Sequence, residues 1–528
     1  MNPCRPVVFT ARSFALIFVL GLALIPGLSC SPQNRPKGQA IYRLNADPTT
    51  LDPAYIVDVT GGAIAAKLFN GLVRLDPELR VIPDIARTWE IQDGGGTYVF
   101  HLRDDVSFSN GRVVTAEDFR YSFERLLSPK GRSPNTWVLD KMLGAKAYIQ
   151  GSADHIRGVE VLDPHTLRIR LERPFAPFLQ LLTMTAAFVV PRETVERLGS
   201  DFAVHPLGTG PFVLTEWKHN TELVLLGNPS YYSGKPPMSS IRYRIIPEDL
   251  TAVTEFELSN IDVIGVPAYE YSRFRSSDRW KGLLSSSQGI NTYYIGFNCA
   301  RPPFDNPELR KAVAAAIDRE TILRTFYEGR GRLASGPVPD ILRHWPAPVL
   351  PAYDPVRARA LVLSSADRHP VINFYVNPDQ EVVDIAEIIQ WYLAKAGIQV
   401  RIRQLEWSAY KAAINNGEAD MFWLSWWADY PDPENFLFPL FHSSNHGAGG
   451  NRSRYTNREV DRLIESGQRA ADVRERNQYY MKAEHIIAGE MPWVFMWHKT
   501  DFTLRQPYLK NYHMYPIYSI DKGTEVSF

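Results

Sequence analysis

Between Val371 and Arg403 the chain reads strand, helix, strand, and this order restricts the fold more than any other stretch. VINFYV (371–376) reads as a buried strand. Ile385, Ile388, Ile389, Tyr392 and Leu393 then share one helical face, and Gly397 stops that helix. IQVRIR (398–403) resumes as a strand. Strands joined through a helix lie parallel with a right-handed crossover, so a sheet covered by helices is implied. Just upstream, Asn306 caps a helix that has Pro307 at its first position and Leu309, Val313 and Ile317 on its apolar face.

The first half of the chain has a different character. Tyr98, Phe100 and Leu102 alternate with polar neighbours, which is strand period. Thr115 and Asp118 have the spacing of a capping box, before a helix whose buried stripe is Phe119, Phe123 and Leu126. Val159 and Val161 face Leu167, Ile169 and Leu171 across the turn Asp163-Pro164-His165, a hairpin. A second hairpin pairs FVLTEW with ELVLL around Asn220. No repeat of 20 to 50 residues occurs. Hairpin signals dominate up to about 295 and α/β signals from 297 to 497, so the fold class is α/β with two lobes.

Composition removes several function classes. At 528 residues, 45% of them hydrophobic and 22% charged, the chain can bury large cores without staples. Lys+Arg and Asp+Glu both number 58, which removes the usual electrostatic reason to propose a nucleic-acid partner. Aromatic residues make up 12%, which suits large cores or a cleft that grips a ligand with flat rings. Three cysteines, Cys4, Cys30 and Cys299, form neither a disulfide framework nor a C-x-x-C pair. Cys299 reads as a small buried apolar residue.

The N-terminus has the order of an export signal. Arg5 and Arg12 precede an uncharged run from Ser13 to Leu28. As a helix that run would span about 24 Å, short of the ~30 Å hydrocarbon core. Residues 1–29 are therefore read as a cleaved signal peptide. Gly27-Leu28-Ser29-Cys30 resembles a bacterial lipobox, with Gly27 at the place where Leu is usual, and Cys30 is the expected lipidation site. Ordinary cleavage with an incidental cysteine is the alternative. Loss of Arg5 and Arg12 takes the net charge from 0 to −2. The polar, proline-bearing residues 30–39 read as a tether.

Catalytic signatures are missing. The chain has no Walker motif, no G-x-S-x-G and no H-E-x-x-H. Gly208-Thr209-Gly210 lacks the third glycine of a dinucleotide loop. His442 and His446 lie in HSSNHGAGG, which is loop composition, so no metal site is assigned. Asp429, Asp432 and Glu434 crowd together in WADYPDPENF. Paired acids can serve hydrolysis, but with two prolines present a turn whose acids cap backbone N–H groups is the simpler reading. No catalytic residue and no cofactor is assigned.

Several segments, in one order from about residue 40 to 500, resemble the oligopeptide- and dipeptide-binding proteins of ABC importers, the family 5 extracellular solute-binding proteins. They begin with DPTTLDP (47–53) and KLFNGLVRLD, in which Asn70 replaces the family's usual Glu. PDIARTWE (83–90) and FHLRDDVSFSNGRVVTAEDFRYSFER (100–125) follow, then GTGPFVLTEW (208–217) and NPSYY (228–232). GFN (296–298), RKAVAAAIDRETI (310–322), SGPVPD (335–340) and WADYPDPENF (427–436) complete the series.

The resemblance implies a two-lobed periplasmic-binding-protein fold with a discontinuous first lobe. Lobe I would comprise 40–80, 205–296 and 498–528, with an extra subdomain at 81–204, and lobe II would comprise 297–497. It further implies that Asp429, in Trp426-Trp427-Ala428-Asp429, pairs with a peptide's α-amino group and that Trp426 lines a side-chain pocket. Trp427 and Ala428 complete the expected ligand-binding segment, and backbone strand addition would hold the rest of the peptide. The implied partners are a peptide, an ABC permease with its ATPase, and the membrane through the N-terminal lipid, with the protein itself a monomer. A nickel complex, an opine or an oligosaccharide as ligand, or a sensing role without transport, stays open at this point.

Overall fold

The computed structural model describes residues 35–364 and 371–528. The expected signal peptide, Cys30 and most of the expected tether lie outside the described residues. Among the described residues, no helix is long and apolar enough to cross a membrane.

Twelve strands form one hydrogen-bonded sheet that runs through both lobes, ten along a single path and two branching from it. On the lobe I side the strands Phe212–Lys218, Glu222–Gly227, Ser240–Ile245, Gln39–Leu44 and Val263–Gly265 lie side by side. On the lobe II side Gln399–Gln404, Val371–Val376, Met421–Trp427 and Asn291–Phe297 do the same. One long strand, Trp493–Arg505, belongs to both. Lys499 pairs with Gly331 in lobe II, and the next residue, Thr500, pairs with Gln288 in lobe I. Asn291 stitches this strand to the other crossing segment. Its buried side chain accepts from Lys499 N (2.8 Å) and donates to Lys499 O (3.3 Å), while Gly289 N donates to the same carbonyl (3.0 Å). The two crossings are thus held level by one polar residue whose donors and acceptors are satisfied.

The local readings form as their patterns indicate. Val371–Val376 and Gln399–Gln404 pair in parallel, with Gln380–Lys395 helical between them. The two hairpins pair antiparallel, and Asn220 turns the second with a positive φ of 58°. Thr115 N donates to Asp118 Oδ2 (2.8 Å), and Asn306 Oδ1 accepts from Glu308 N (3.0 Å).

Pairing and packing put the lobe boundaries elsewhere than expected. The strand Asn291–Phe297 lies wholly in the lobe II half of the sheet, so the chain crosses at Gly289–Ile290, before the boundary expected at 296. The extra subdomain is a four-stranded sheet with the helix Ala116–Leu127 against it. Its core takes in Leu72 and Val73 from before residue 81. Val190, Val195 and Phe202, expected within it, pack instead into the core of lobe I. Periodicity marks where an element lies but not which core receives its apolar face.

Four of the segments that carry the family resemblance meet at one buried point. Asn70 Nδ2 donates to both carboxylate oxygens of Asp84 (3.0 Å each), and Thr209 Oγ1 donates to Asn70 Oδ1 (3.1 Å). Tyr231 and Tyr232 hydroxyls lie 3.3 Å from the same amide, and Tyr232 also donates to Asp84. Gly208 and Gly210 pass so close to the carbonyls of Lys67 and Leu68 that a Cβ at either position would strike backbone. These segments build the junction between lobe I and its subdomain.

Candidate functional site

The strand Met421–Trp427 is buried over its first four residues and emerges at its end. Ala428 N donates to Ile290 O (2.9 Å), which ties the emerging chain to the crossing segment. Successive strand residues face opposite sides. Trp426 therefore turns into the space between lobe II and the subdomain, whereas Trp427 leaves on the other face, half exposed and edge-on to Tyr293 (ring centroids 6.5 Å apart).

Asp429 follows immediately and opens onto the same space as Trp426. This cavity has a volume of about 770 Å³, within the usual range for small-ligand sites. Trp426, Asp429 and Glu434 contribute from lobe II; Trp137, Lys146 and Arg173 contribute from the subdomain. Of the residues expected at the site, the structure brings Asp429 and Trp426 to the cavity and leaves Trp427 and Ala428 off its wall.

Asn435, in the first turn of the helix Glu434–Phe441, organises this corner. Its Oδ1 accepts from Asp429 N (2.9 Å) and from Trp426 Nε1 (3.4 Å), and its Nδ2 donates to Asp429 Oδ2 (3.3 Å). Asp429 has no ion-pair partner among the described residues. Partial enclosure by protein raises its pKa above the ordinary aspartate value, against the pull of the Asn435 bond. The carboxylate still faces the open cavity, so an incoming cation can reach it.

The two other acids of this segment have structural partners. Asp432 Oδ1 caps Glu434 N (2.9 Å), and its carboxylate lies 3.2 Å from an Arg476 guanidinium nitrogen. Glu434 is fully enclosed; it accepts from the Tyr430 hydroxyl and from Gln468 Nε2 (2.6 Å). Burial pushes its pKa up to about 7, with those two bonds opposing the rise. The histidines of the following loop diverge. His442 lies against Ser444 (2.8 Å) and Glu465 (3.3 Å), whereas His446 lies 3.1 Å from the Tyr455 carbonyl. Cys299 packs against the lobe II core, and burial lifts its thiol to about 11, which suits a packing role.

The lobes touch beneath the cavity. Tyr430 is 5% exposed and packs into the subdomain core, its ring 6.2 Å from Trp137. Ala176 N of the subdomain donates to Gln468 O of lobe II (2.7 Å). Trp137, Gln468, Lys146 and Arg173 carry no motif and were not legible as site residues. Only the pairing of distant segments brings them to Asp429.

Two lobes joined by crossing strands, with an open cavity between them, have the architecture of a solute-binding protein. The family model for bacterial extracellular solute-binding proteins, family 5, matches residues 80–448, and the chain belongs to that family. It is 30% identical over 530 residues to di/tripeptide-binding protein 2 of Pseudomonas aeruginosa, covering 95% of this chain and 97% of that one. Heme-binding protein A of Haemophilus influenzae is 28% identical over 504 residues, 90% of each chain. The periplasmic murein peptide-binding protein MppA of Escherichia coli is 28% identical over 495 residues, again 90% of each chain. A solved structure of MppA superposes with a TM-score of 0.75 at 27% identity, covering 94% of this chain and 99% of that one. The family resemblance and the two-lobed α/β fold class read from the sequence both hold.

Proposed function

We propose that this chain is the lipid-anchored, extracytoplasmic component of an ABC importer. It captures a peptide between its lobes as a monomer and delivers it to the permease and ATPase. One observation carries the peptide reading: an Asp429 carboxylate without a cationic partner among the described residues, aimed into an interlobe cavity beside Trp426. A desolvated ammonium is the natural partner for such a group, since charge-assisted bonds are about twice as strong as neutral ones. The peptide-binding relatives in the family support the same reading.

Calorimetry tests it with two ligands and two proteins. Asp429→Asn keeps the size of the side chain and removes its charge. It should cost a free-amine peptide about 3–5 kcal/mol, by analogy with broken buried pairs. An N-acetylated peptide should bind wild type poorly and respond little to the substitution. Equal losses for both would reduce Asp429 to a shaping role in its turn. No loss for either would place the amine site elsewhere and favour a non-peptide ligand.

A further inference from the structure

A second cavity, of about 570 Å³, shares no lining residue with the interlobe one. It borders the strand Phe212–Lys218, which ends the twelve-stranded sheet and pairs on one side only, with Glu222–Gly227. Among the described residues the backbone of 212–217 bonds to no other element. The five consecutive residues Val213 to Trp217 all line the cavity. Successive strand residues face opposite sides of a sheet, so a space that touches all five lies along the open edge of the strand and not over one face. The facing wall is the helix Arg192–Leu198 and the turn after it, with Leu198, Val204 and Leu207 as its apolar part. Four ionisable side chains line this groove: Arg197, His205, Glu216 and His219. Glu216 is paired with Lys218 (2.7 Å). Asp47 accepts from Trp217 Nε1 (2.9 Å) and lies 2.8 Å from His219 Nδ1, which fixes the two rings, centroids 4.5 Å apart, at one end of the groove. Arg197 and His205 are exposed, and neither side chain has a partner among the described residues.

We infer that this edge receives one short, extended, acidic segment of a partner protein as an added strand. An unpaired strand edge is a ready template for another chain, whose main-chain bonds supply affinity while side-chain contacts supply selectivity. Here the apolar wall offers those contacts to alternate side chains. Arg197 is the cation left uncompensated, and His205 adds a second polar partner, so an acidic side chain is favoured and a basic one is repelled. The edge also limits what can join it. A bulge between Leu214 and Glu216 twists the strand, and the Thr215 hydroxyl turns back to Val224 O (3.1 Å). A twisted edge of this length suits a single short segment and opposes the stacking of whole sheets. The inference goes beyond the proposed import role and does not depend on the peptide reading of the interlobe cavity.

Two blocked peptides test it, acetyl-Val-Glu-Val-Glu-Val-amide and its counterpart with Lys for Glu. Acetylation removes the ammonium that the Asp429 site would take. Wild type should bind the acidic peptide about tenfold more tightly than the basic one, attraction of the first and repulsion of the second acting together. Hydrogen exchange should slow across residues 213–217 when the acidic peptide is bound. The double variant Arg197→Gln, His205→Gln removes two exposed, unpartnered side chains, so it should fold, and it should bind both peptides alike. A second measurement needs no variant. Methylating alternate backbone nitrogens of the acidic peptide removes the donors along one of its edges, and one of the two possible phases should abolish binding while the other leaves it. Equal affinity for the acidic and basic peptides, equal loss in both methylation phases, or no binding of the acidic peptide would overturn the proposal. So would exchange that slows at 426–429 instead, which would place the peptide between the lobes. A dimer in small-angle scattering of the free protein that protects 213–217 would make a second copy the occupant and overturn it as well.

Discussion

Asn435 holds Asp429 from both sides, taking its backbone N–H at 2.9 Å and giving its own amide N–H to the carboxylate at 3.3 Å. One side chain thereby sets both the path of the backbone and the direction of the charge. The same amide oxygen also receives Trp426 Nε1, so the acid and the ring are positioned together.

Asn435→Ala should therefore weaken binding of a free-amine peptide although the variant retains Asp429. A net loss of about 1–2 kcal/mol follows from two N–H groups left without their acceptor, Asp429 N and Trp426 Nε1, and one misdirected carboxylate. Titration calorimetry should show the loss for the free amine and little change for the N-acetylated ligand. A change of equal size for both would mean that Asn435 serves stability alone.

Glu434 makes stability depend on pH. Unfolded, its carboxyl titrates near 4.5, and in the fold it holds its proton up to about 7. Between those values the folded chain binds more protons than the unfolded one, so stability is highest below 4.5, falls as pH rises through the window and levels off above 7. The contribution is on the order of 3 kcal/mol. Chemical denaturation from pH 4 to 8 should show this decline superposed on other titrations, and Glu434→Gln should flatten it. A variant with the wild-type slope would exclude Glu434 as the source.

The junction at Asn70 depends on an amide. Asn70→Asp would set a second buried carboxylate against Asp84 and remove the donor that now bridges both of its oxygens. A loss of about 3 kcal/mol is expected at pH 8, in the range for an uncompensated buried charge. The loss should shrink at pH 4, where one proton can be shared between the two acids. Melting curves at the two pH values decide this, and an unchanged melting temperature at pH 8 would show that the network contributes no stability.

On the proposed lipid anchoring, Cys30→Ser should move the protein from the membrane fraction to the soluble one, because multiple acyl chains anchor stably and no helix among the described residues is long and apolar enough to cross a membrane. Fractionation followed by immunoblotting reads this directly. A wild-type protein already in the soluble fraction would rule out the lipid anchor.

Much of the fold was legible along the chain because its causes are local. The 371–403 unit, the hairpins and the helix caps at Thr115 and Asn306 each depend on residues a few places apart, where period and capping chemistry act. The order of family segments was equally plain, and it led to Asp429 and Trp426. It also carried Trp427 and Ala428 into the expected site, although strand alternation turns Trp427 to the opposite face and the backbone of Ala428 is tied to Ile290.

What the linear chain determined by itself was the set of elements and the two-lobed class, while the family resemblance pointed to Asp429. What tertiary structure alone decided was the company that acid keeps. Lys146 and Arg173 stand hundreds of residues before Asp429 in the chain and sit in no recognisable motif, yet the subdomain sheet and the crossing strands bring them to one cavity. The same holds at Asn70, where segments near residues 70, 84, 209 and 231 close one polar network. Local pattern reports the conformation of a few residues, whereas a cavity lined by distant segments exists only after burial of several cores has fixed the distances between them.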